Sequence, residues 1–137
     1  MIRYVESRDK AAWYALDHDF PETGFDEKVR NRQGYVFELD GQIVGILRYG
    51  LFWDSIPFCY MLHVDEAYQG RGYGTQLMER WEQDMRSEGI GMVMLSTQVD
   101  DSAQAVYRRL GYKDAGGFVV DVPKYEQPME MIMLKGI

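Results

Sequence analysis

Seven short runs of hydrophobic residues, several of them alternating with polar ones, divide the chain in a way typical of β-strands. The runs cover residues 2–5, 35–39, 42–47, 58–64, 92–96, 118–122 and 129–134. Asp40-Gly41 separates the second and third runs, and this dipeptide between β-rich segments predicts a tight hairpin. The fourth run is apolar almost throughout, which favours a central strand. The aromatic segment 51–57 before it is expected to be a loop.

Helical periodicity fills four of the gaps between these strands. The apolar stripes consist of Ala11, Ala12, Ala15 and Leu16; of Phe25 and Val29; of Leu77, Met78, Trp81 and Met85; and of Ala103, Val106, Tyr107 and Leu110. Ser7 is a candidate N-cap for the first helix, and the second is predicted over residues 25–32. The third is predicted over residues 73–88 and ends at Gly89, while Gly111 ends the fourth.

Length and composition indicate one domain over residues 1–137. A chain of 137 residues can bury a core, and its 46% hydrophobic and 27% charged residues are ordinary globular values. The charged N-terminus does not resemble a signal peptide, and no run is long enough to span a membrane, so the expected location is cytoplasmic. Cys59 is the single cysteine. It excludes an internal disulfide, and its apolar neighbours indicate a small core residue.

The net charge of −7 restricts the partners. Nucleic acid is disfavoured because phosphate backbones bind basic surfaces, whereas a cationic substrate suits an acidic protein. An anionic cofactor would need a locally positive site. Arg71, Arg108 and Arg109 are the candidates nearest to the segment described next.

Three alternating glycines join the fourth strand to the third helix. Gly70, Gly72 and Gly74 let the backbone approach a ligand without a Cβ in the way, and the first helical turn offers unpaired N–H groups. A phosphate or pyrophosphate suits such a loop. No Gly-Lys-Ser or Gly-Lys-Thr occurs, which excludes a Walker loop, and the glycine spacing does not fit the dinucleotide fingerprint.

The loop resembles the acyl-CoA binding motif of the GNAT superfamily of N-acetyltransferases, Gln/Arg-x-x-Gly-x-Gly/Ala. Gln69, Gly72 and Gly74 match this motif, and Leu62-x-Val64 matches the family's splayed fourth strand. A second match follows the pattern Asn-x-x-Ala-x-x-x-Tyr-x-x-Leu-Gly-Phe/Tyr and consists of Ala103, Tyr107, Leu110, Gly111 and Tyr112. The two motifs stand in the family's order.

The resemblance implies a GNAT fold of the mixed α/β class. The expected sheet is twisted and mostly antiparallel, has about seven strands that splay between strands four and five, and carries helices on both faces. The implied activity is an acetyl-CoA-dependent N-acetyltransferase that moves an acetyl group from the CoA thioester to a primary amine of a small molecule or peptide by direct attack. No metal is expected. A homodimer through the last strands is a further expectation at family level.

By the same resemblance, the cofactor residues are Leu62, His63, Val64, Gln69, Gly70, Arg71, Gly72, Tyr73, Gly74, Thr75, Asp100 and Tyr107. Backbone N–H groups of residues 70–75 would hold the pyrophosphate. The pantetheine arm would pair with the backbone at Leu62–Val64, and the Val64 N–H would polarise the thioester carbonyl. Tyr107 would protonate the departing thiolate, although its place in the last helix's apolar stripe also fits simple packing.

The general base is open. Some family members use a glutamate on the fifth strand, where this chain has Leu95. His63 lies beside the expected acetyl site, and an imidazole can accept a proton near neutral pH. A water chain to Glu66, Asp54 or Glu126 is an equal alternative. Asp100 stands where the family has asparagine, and although it suits the N-cap of the last helix, its carboxylate cannot donate a hydrogen bond.

The acceptor pocket of the family is built from the first helix–loop–helix, the loop between strands three and four, and the last two strands. These segments contain Asp19, Phe20, Phe25, Phe52, Trp53, Asp54, Tyr125 and Glu126. Trp53 and Asp54 are the strongest candidates for binding a cationic amine. Two other interpretations are open: a GNAT-like module that binds acyl-CoA without catalysis, and a nucleotide-binding α/β protein. The amine acceptor and the acyl chain are not specified by the sequence.

Overall fold

A computed structural model describes residues 1–137 as seven strands and four helices. Their order is β1 (Ile2–Tyr4), α1 (Lys10–Leu16), α2 (Phe25–Arg30), β2 (Gly34–Leu39), β3 (Gln42–Phe52), β4 (Ile56–Val64), α3 (Tyr73–Ser87), β5 (Met92–Gln98), α4 (Ala103–Arg109), β6 (Lys113–Phe118) and β7 (Glu130–Gly136). The strands form one sheet in the order β1-β2-β3-β4-β5-β7-β6, and only β4 and β5 run parallel. The predicted mixed, mostly antiparallel sheet of seven strands is confirmed. None of the helices combines the length and hydropathy needed to cross a bilayer.

The sheet opens in its middle, between β4 and β5. These strands pair only at Phe58 with Met94 and at Cys59 with Leu95, so the predicted splay is confirmed. The register between β3 and β4 shifts at the same place and leaves Tyr60 without a partner. Because a β-bulge bends its strand, the shift at Tyr60 accounts for the departure of β4 from β5.

Helices cover both faces of the sheet, as predicted. On one face, α3 buries Leu77, Met78, Trp81 and Met85 against the sheet. On the other face, Trp13 of α1 and Phe25 of α2 pack against Val36 and Ile46. Each of these large side chains contributes about 1.5–3 kcal/mol through burial. The two cores hold the sheet from both sides.

The aromatic segment 51–57 is mostly strand, so the predicted loop is wrong. β3 continues to Phe52 and β4 begins at Ile56, which leaves only residues 53–55 as the turn. Trp53 and Asp54 adopt φ values of 54° and 62°. The rings of Phe52 and Phe58 lie 6.0 Å apart across the hairpin. Cross-strand aromatic contacts of this kind stabilise a longer hairpin than the local pattern indicates.

Two further local predictions are wrong. The sixth strand is Lys113–Phe118, not residues 118–122, and all its residues are exposed. It forms because β7 pairs with it at the sheet edge, although its own letters show no alternation. The turn before α1 is closed by the Glu6 N–H, which donates to the Asp9 carboxylate at 2.7 Å, so Ser7 is not the cap.

Candidate active site

The glycine loop before α3 is open. Gly70 and Gly72 have φ values of 79° and 84°, and a Cβ at either position would meet no atom within 4 Å. α3 begins at Tyr73, so the N–H groups of its first turn, residues 73–75, have no acceptor within the helix. The positive end of the helix dipole lies at the same place. The loop therefore presents main-chain donors to a ligand, with no side chain covering them.

A cavity of about 330 Å³ adjoins this loop. Its lining comes from β4, the loop, α3 and α4, and consists of Leu62, Val64, Tyr68, Gln69, Gly70, Gly72, Tyr73, Gly74, Thr75, Met78, Val106, Arg109 and Leu110. The lining contains no carboxylate, and Arg109 brings a positive charge. Unpaired N–H groups, absent Cβ atoms and a guanidinium together fit a diphosphate.

The three candidate arginines differ in their position relative to this cavity. Arg109 lines the cavity. Arg108 makes an ion pair with Asp114 at 3.0 Å and is not part of the lining. The guanidinium of Arg71 lies 5.3 Å from the ring centre of Tyr68, which itself lines the cavity. Arg109 is therefore the arginine best placed for an anion, with Arg71 at the rim.

The edge of β4 that faces the opening carries backbone groups that no neighbouring strand pairs. The Asp65 N–H donates to the Val44 carbonyl at 2.8 Å, and hydrogen-bonded pairs alternate along an antiparallel ladder. The N–H and C=O groups of Val64 and Leu62 therefore point away from β3, into the gap beside β5. The Gln69 side-chain amide donates to the Val64 carbonyl at 2.8 Å and so ties the loop to the strand end.

A second cavity of about 450 Å³ continues along β4 to α4. It brings together His63, Val64 and Tyr107, which are three of the predicted site residues. The Tyr107 hydroxyl makes no hydrogen bond within the chain. Burial, and to a smaller extent Cys59 and Asp101, raise the pKa of Tyr107 above its ordinary value. The phenol thus keeps its proton throughout the neutral range, with its hydroxyl available to a ligand.

His63 borders two cavities. Its side chain lies on the opposite face of β4 from those of Leu62 and Val64. Besides the cavity of Tyr107, it lines a larger one of about 880 Å³ on the α1 side. Glu66 lines that larger cavity as well, whereas Asp54 and Glu126 line none of the three. The structure therefore brings His63 and Glu66 together and leaves the other two candidate carboxylates apart.

The N-terminus of α4 corrects one expectation. Asp101, not Asp100, accepts the Ala103 N–H, at 2.8 Å, so the predicted cap at Asp100 is wrong. Asp100 lines neither cavity beside β4, whereas Asp101 and Ser102 line the one of about 450 Å³. The turn before α4 thus places the carboxylate of Asp101, not that of Asp100, at the N-terminus of the helix.

Several lining residues were not found from the sequence. Tyr68 and Asp101 belong to no motif or stripe, and Met78 and Val106 belong only to the apolar stripes of the third and the last helix. The stripe of the last helix faces both the core and the opening between β4 and β5. Helical periodicity alone does not show which of its residues line the opening. Cys59 fits the expectation of a core residue, because it is buried and burial raises the pKa of its thiol to about 12.

Trp53 and Asp54 lie at the tip of the β3–β4 hairpin, outside these cavities. The indole of Trp53 is 76% exposed. Its ring centre lies 4.8 Å from that of Phe52, Phe52 lies 6.0 Å from Phe58, and Phe58 lies 5.2 Å from Tyr60. The four rings form an aromatic row from the hairpin tip to Tyr60, where the sheet opens.

Comparisons with known proteins agree with this architecture. The acetyltransferase (GNAT) family model matches residues 3–112. The chain is 29% identical over 113 residues to the N-alpha-acetyltransferase RimI of Mycobacterium tuberculosis (strain ATCC 25618 / H37Rv), covering 78% of this chain and 70% of that protein. It is 33% identical over 75 residues to YxbD of Bacillus subtilis (strain 168), an uncharacterized protein, covering 54% of this chain and 45% of that protein. The match thus spans less than half of the Bacillus relative. Ard1 from Thermoplasma volcanium has the same fold, with a TM-score of 0.88 at 17% identity over 100% of this chain and 97% of that one.

Proposed function

This chain belongs to the acetyltransferase (GNAT) family, and from that premise we propose that it transfers an acetyl group from acetyl-CoA to a primary amine of a small molecule or peptide. The observation that carries the proposal is the open glycine loop at the N-terminus of α3. Its unpaired N–H groups face a cavity whose lining contains no Asp or Glu side chain and contains one arginine, Arg109. A diphosphate matches that arrangement, and a CoA thioester supplies an activated acetyl group.

The main chain would do most of the binding. N–H groups of residues 70–75 and the guanidinium of Arg109 would hold the diphosphate. The outward-facing N–H groups of Leu62 and Val64 would pair with the pantetheine arm and polarise the thioester carbonyl. One preorganised donor of this kind contributes about 3 kcal/mol to catalysis. Gln69 supports this arrangement because its hydrogen bond to the Val64 carbonyl fixes the end of the strand.

Proton transfers complete the reaction. The amine nitrogen bonds to the acetyl carbon, the carbon–sulfur bond breaks, the amine loses a proton and the thiolate gains one. Tyr107 would donate the latter proton, since its hydroxyl is protonated and unengaged in the cleft. His63, or a water beside Glu66, would accept the proton of the amine. Both residues border the cavity on the α1 side.

The test combines binding with turnover. Calorimetry with acetyl-CoA and a thiol-release assay with a panel of amines should show both tight binding and acceptor-dependent release of CoA. Gly72→Val should abolish binding while the fold remains, because a β-branched residue is strained at a φ of 84° and its Cβ enters the loop's open side. Normal affinity of this variant would contradict the proposal.

A binding module without catalysis is the second candidate. The observation that favours it is Leu95, which is buried at the β5 position where some relatives carry a catalytic glutamate. Such a module would bind CoA tightly and release no thiol with any amine. Competition by ATP or NAD for the loop would instead support a nucleotide-binding protein. A cytoplasmic location and a homodimer through the last strands stay predictions from the sequence.

A further inference from the structure

The aromatic row lies on the face of the sheet that α1 and α2 cover. Its inner end is Tyr60, the bulge residue, whose ring is half exposed where β4 leaves β5. The ring lies against β3 at Gly50, where a Cβ would overlap its Cε2 atom. Glycine at this position thus allows Tyr60 to lie flat on the sheet. Phe58 is buried within the row, and Tyr60 is the exposed apolar ring at the opening of the sheet.

Lys28 of α2 is a cation without a counterion next to that ring. Its Nζ lies 5.8 Å from the Tyr60 ring centre and donates to the Tyr49 carbonyl at 2.8 Å and to the Gln33 side chain at 3.1 Å. Both acceptors are neutral. An ammonium has three protons, and the third has no acceptor within the chain. A half-buried cation in a chain of net charge −7 is therefore left unpaired.

The neighbouring charges compensate Lys28 only in part. Arg48 of β3 adds a second cation, and burial together with Arg48 lowers the pKa of Lys28 more than Glu27 raises it. The carboxylate that pairs with Arg48 is Asp17, which is fully buried and accepts a hydrogen bond from the guanidinium at 2.9 Å and from the Trp13 indole N–H at 3.1 Å. An anion arriving from outside would supply the missing partner of Lys28.

We infer that the acceptor amine belongs to a molecule with a free carboxylate and an apolar side chain, as in an apolar amino acid. Lys28 binds the carboxylate, and the exposed ring of Tyr60 packs on the side chain. The inference rests on the proposed function and deepens it, since it names the acceptor class. Charge complementarity selects the carboxylate, and the aromatic row selects the apolar group. The amine is then held beside the opening between β4 and β5.

The decisive experiment compares L-phenylalanine with L-phenylalaninamide, which differ in the charge of the carboxyl end and also in the pKa of the α-amine. The ratio of their kcat/KM values is therefore measured in the wild-type protein and in Lys28→Met at one pH, which cancels the difference between the two amines. Lys28→Met should lower the ratio of amino acid to amide about tenfold or more, since a charge-assisted hydrogen bond is lost. Lys28→Arg should keep most of the wild-type ratio. Lys10→Met, which removes an exposed lysine of α1, should leave the ratio unchanged.

The ratio of the two substrates on one variant does not depend on how much of that variant is folded. A ratio of amino acid to amide that Lys28→Met leaves unchanged would overturn the inference and favour an acceptor without a free carboxylate, such as a peptide amine. Turnover of other amines with neither phenylalanine compound accepted would refute the inference and leave the proposed function standing. Absence of acetyl-CoA binding would refute both.

Discussion

Tyr107→Phe removes one hydroxyl from the cleft and leaves the ring in place. Because that hydroxyl makes no hydrogen bond within the chain, the free energy of unfolding should change by about 0.5 kcal/mol or less. Catalysis should respond far more strongly. Loss of a general acid lowers kcat about 100-fold or more, which corresponds to about 2.7 kcal/mol in activation free energy. Steady-state thiol release gives kcat and KM for acetyl-CoA, and KM should stay unchanged.

Tyr112→Phe is the matched control. The ring centres of Tyr112 and Tyr107 lie 6.1 Å apart, but the Tyr112 hydroxyl donates to the buried carboxylate of Glu82 at 2.8 Å. Its removal should cost about 1–3 kcal/mol of stability and leave kcat intact in the folded fraction. The two variants should therefore show opposite effects on stability and turnover. An unchanged kcat in Tyr107→Phe would assign Tyr107 to packing alone and refute the reasoning.

Three other variants test separate parts of the account. His63→Ala should lower kcat and change the shape of the kcat/KM profile against pH, and an intact profile would place the base elsewhere. Asp9→Asn should cost about 2 kcal/mol of stability at neutral pH. The hydrogen bond from Arg3 lowers the pKa of Asp9, so urea unfolding should show this difference disappearing as pH falls through the lowered folded value; a difference independent of pH would contradict it. Gly50→Ala should displace Tyr60 and raise KM for the amine but not for acetyl-CoA, and equal rises in both would argue against an acceptor role.

Elements with strong local signals were predictable from the sequence. The third helix was predicted over residues 73–88 and occupies Tyr73–Ser87, because its apolar stripe and Gly89 are both local features. The hairpin at Asp40-Gly41 is likewise present. The glycine loop could be recognised for the same reason, because the spacing of its glycines and its position between a strand and a helix are both local features of the sequence.

Features that depend on distant partners could not be predicted. β6 has no apolar alternation and exists because β7 supplies its hydrogen bonds. The choice of Asp101 over Asp100 at α4 depends on the shape of one turn. The unpaired charge of Lys28 becomes visible only when α2 is placed against β3 and β4. For β6 and Lys28 the deciding contact joins segments that are distant in the sequence, whereas for Asp101 it is the conformation of a single turn, which the residue types do not specify.

The enzymatic function depends on the main-chain amides before α3, which should bind the diphosphate of CoA. Calorimetric titration with CoA and with pantetheine measures this binding. Pantetheine keeps the arm that would pair with β4 and lacks the diphosphate together with the 3′-phosphoadenosine, and Gly72→Val tests whether the difference in affinity comes from the loop. The account predicts tight binding of CoA, much weaker binding of pantetheine, and loss of the difference between the two in Gly72→Val. Equal affinities for the two compounds in the wild-type protein would contradict the claim.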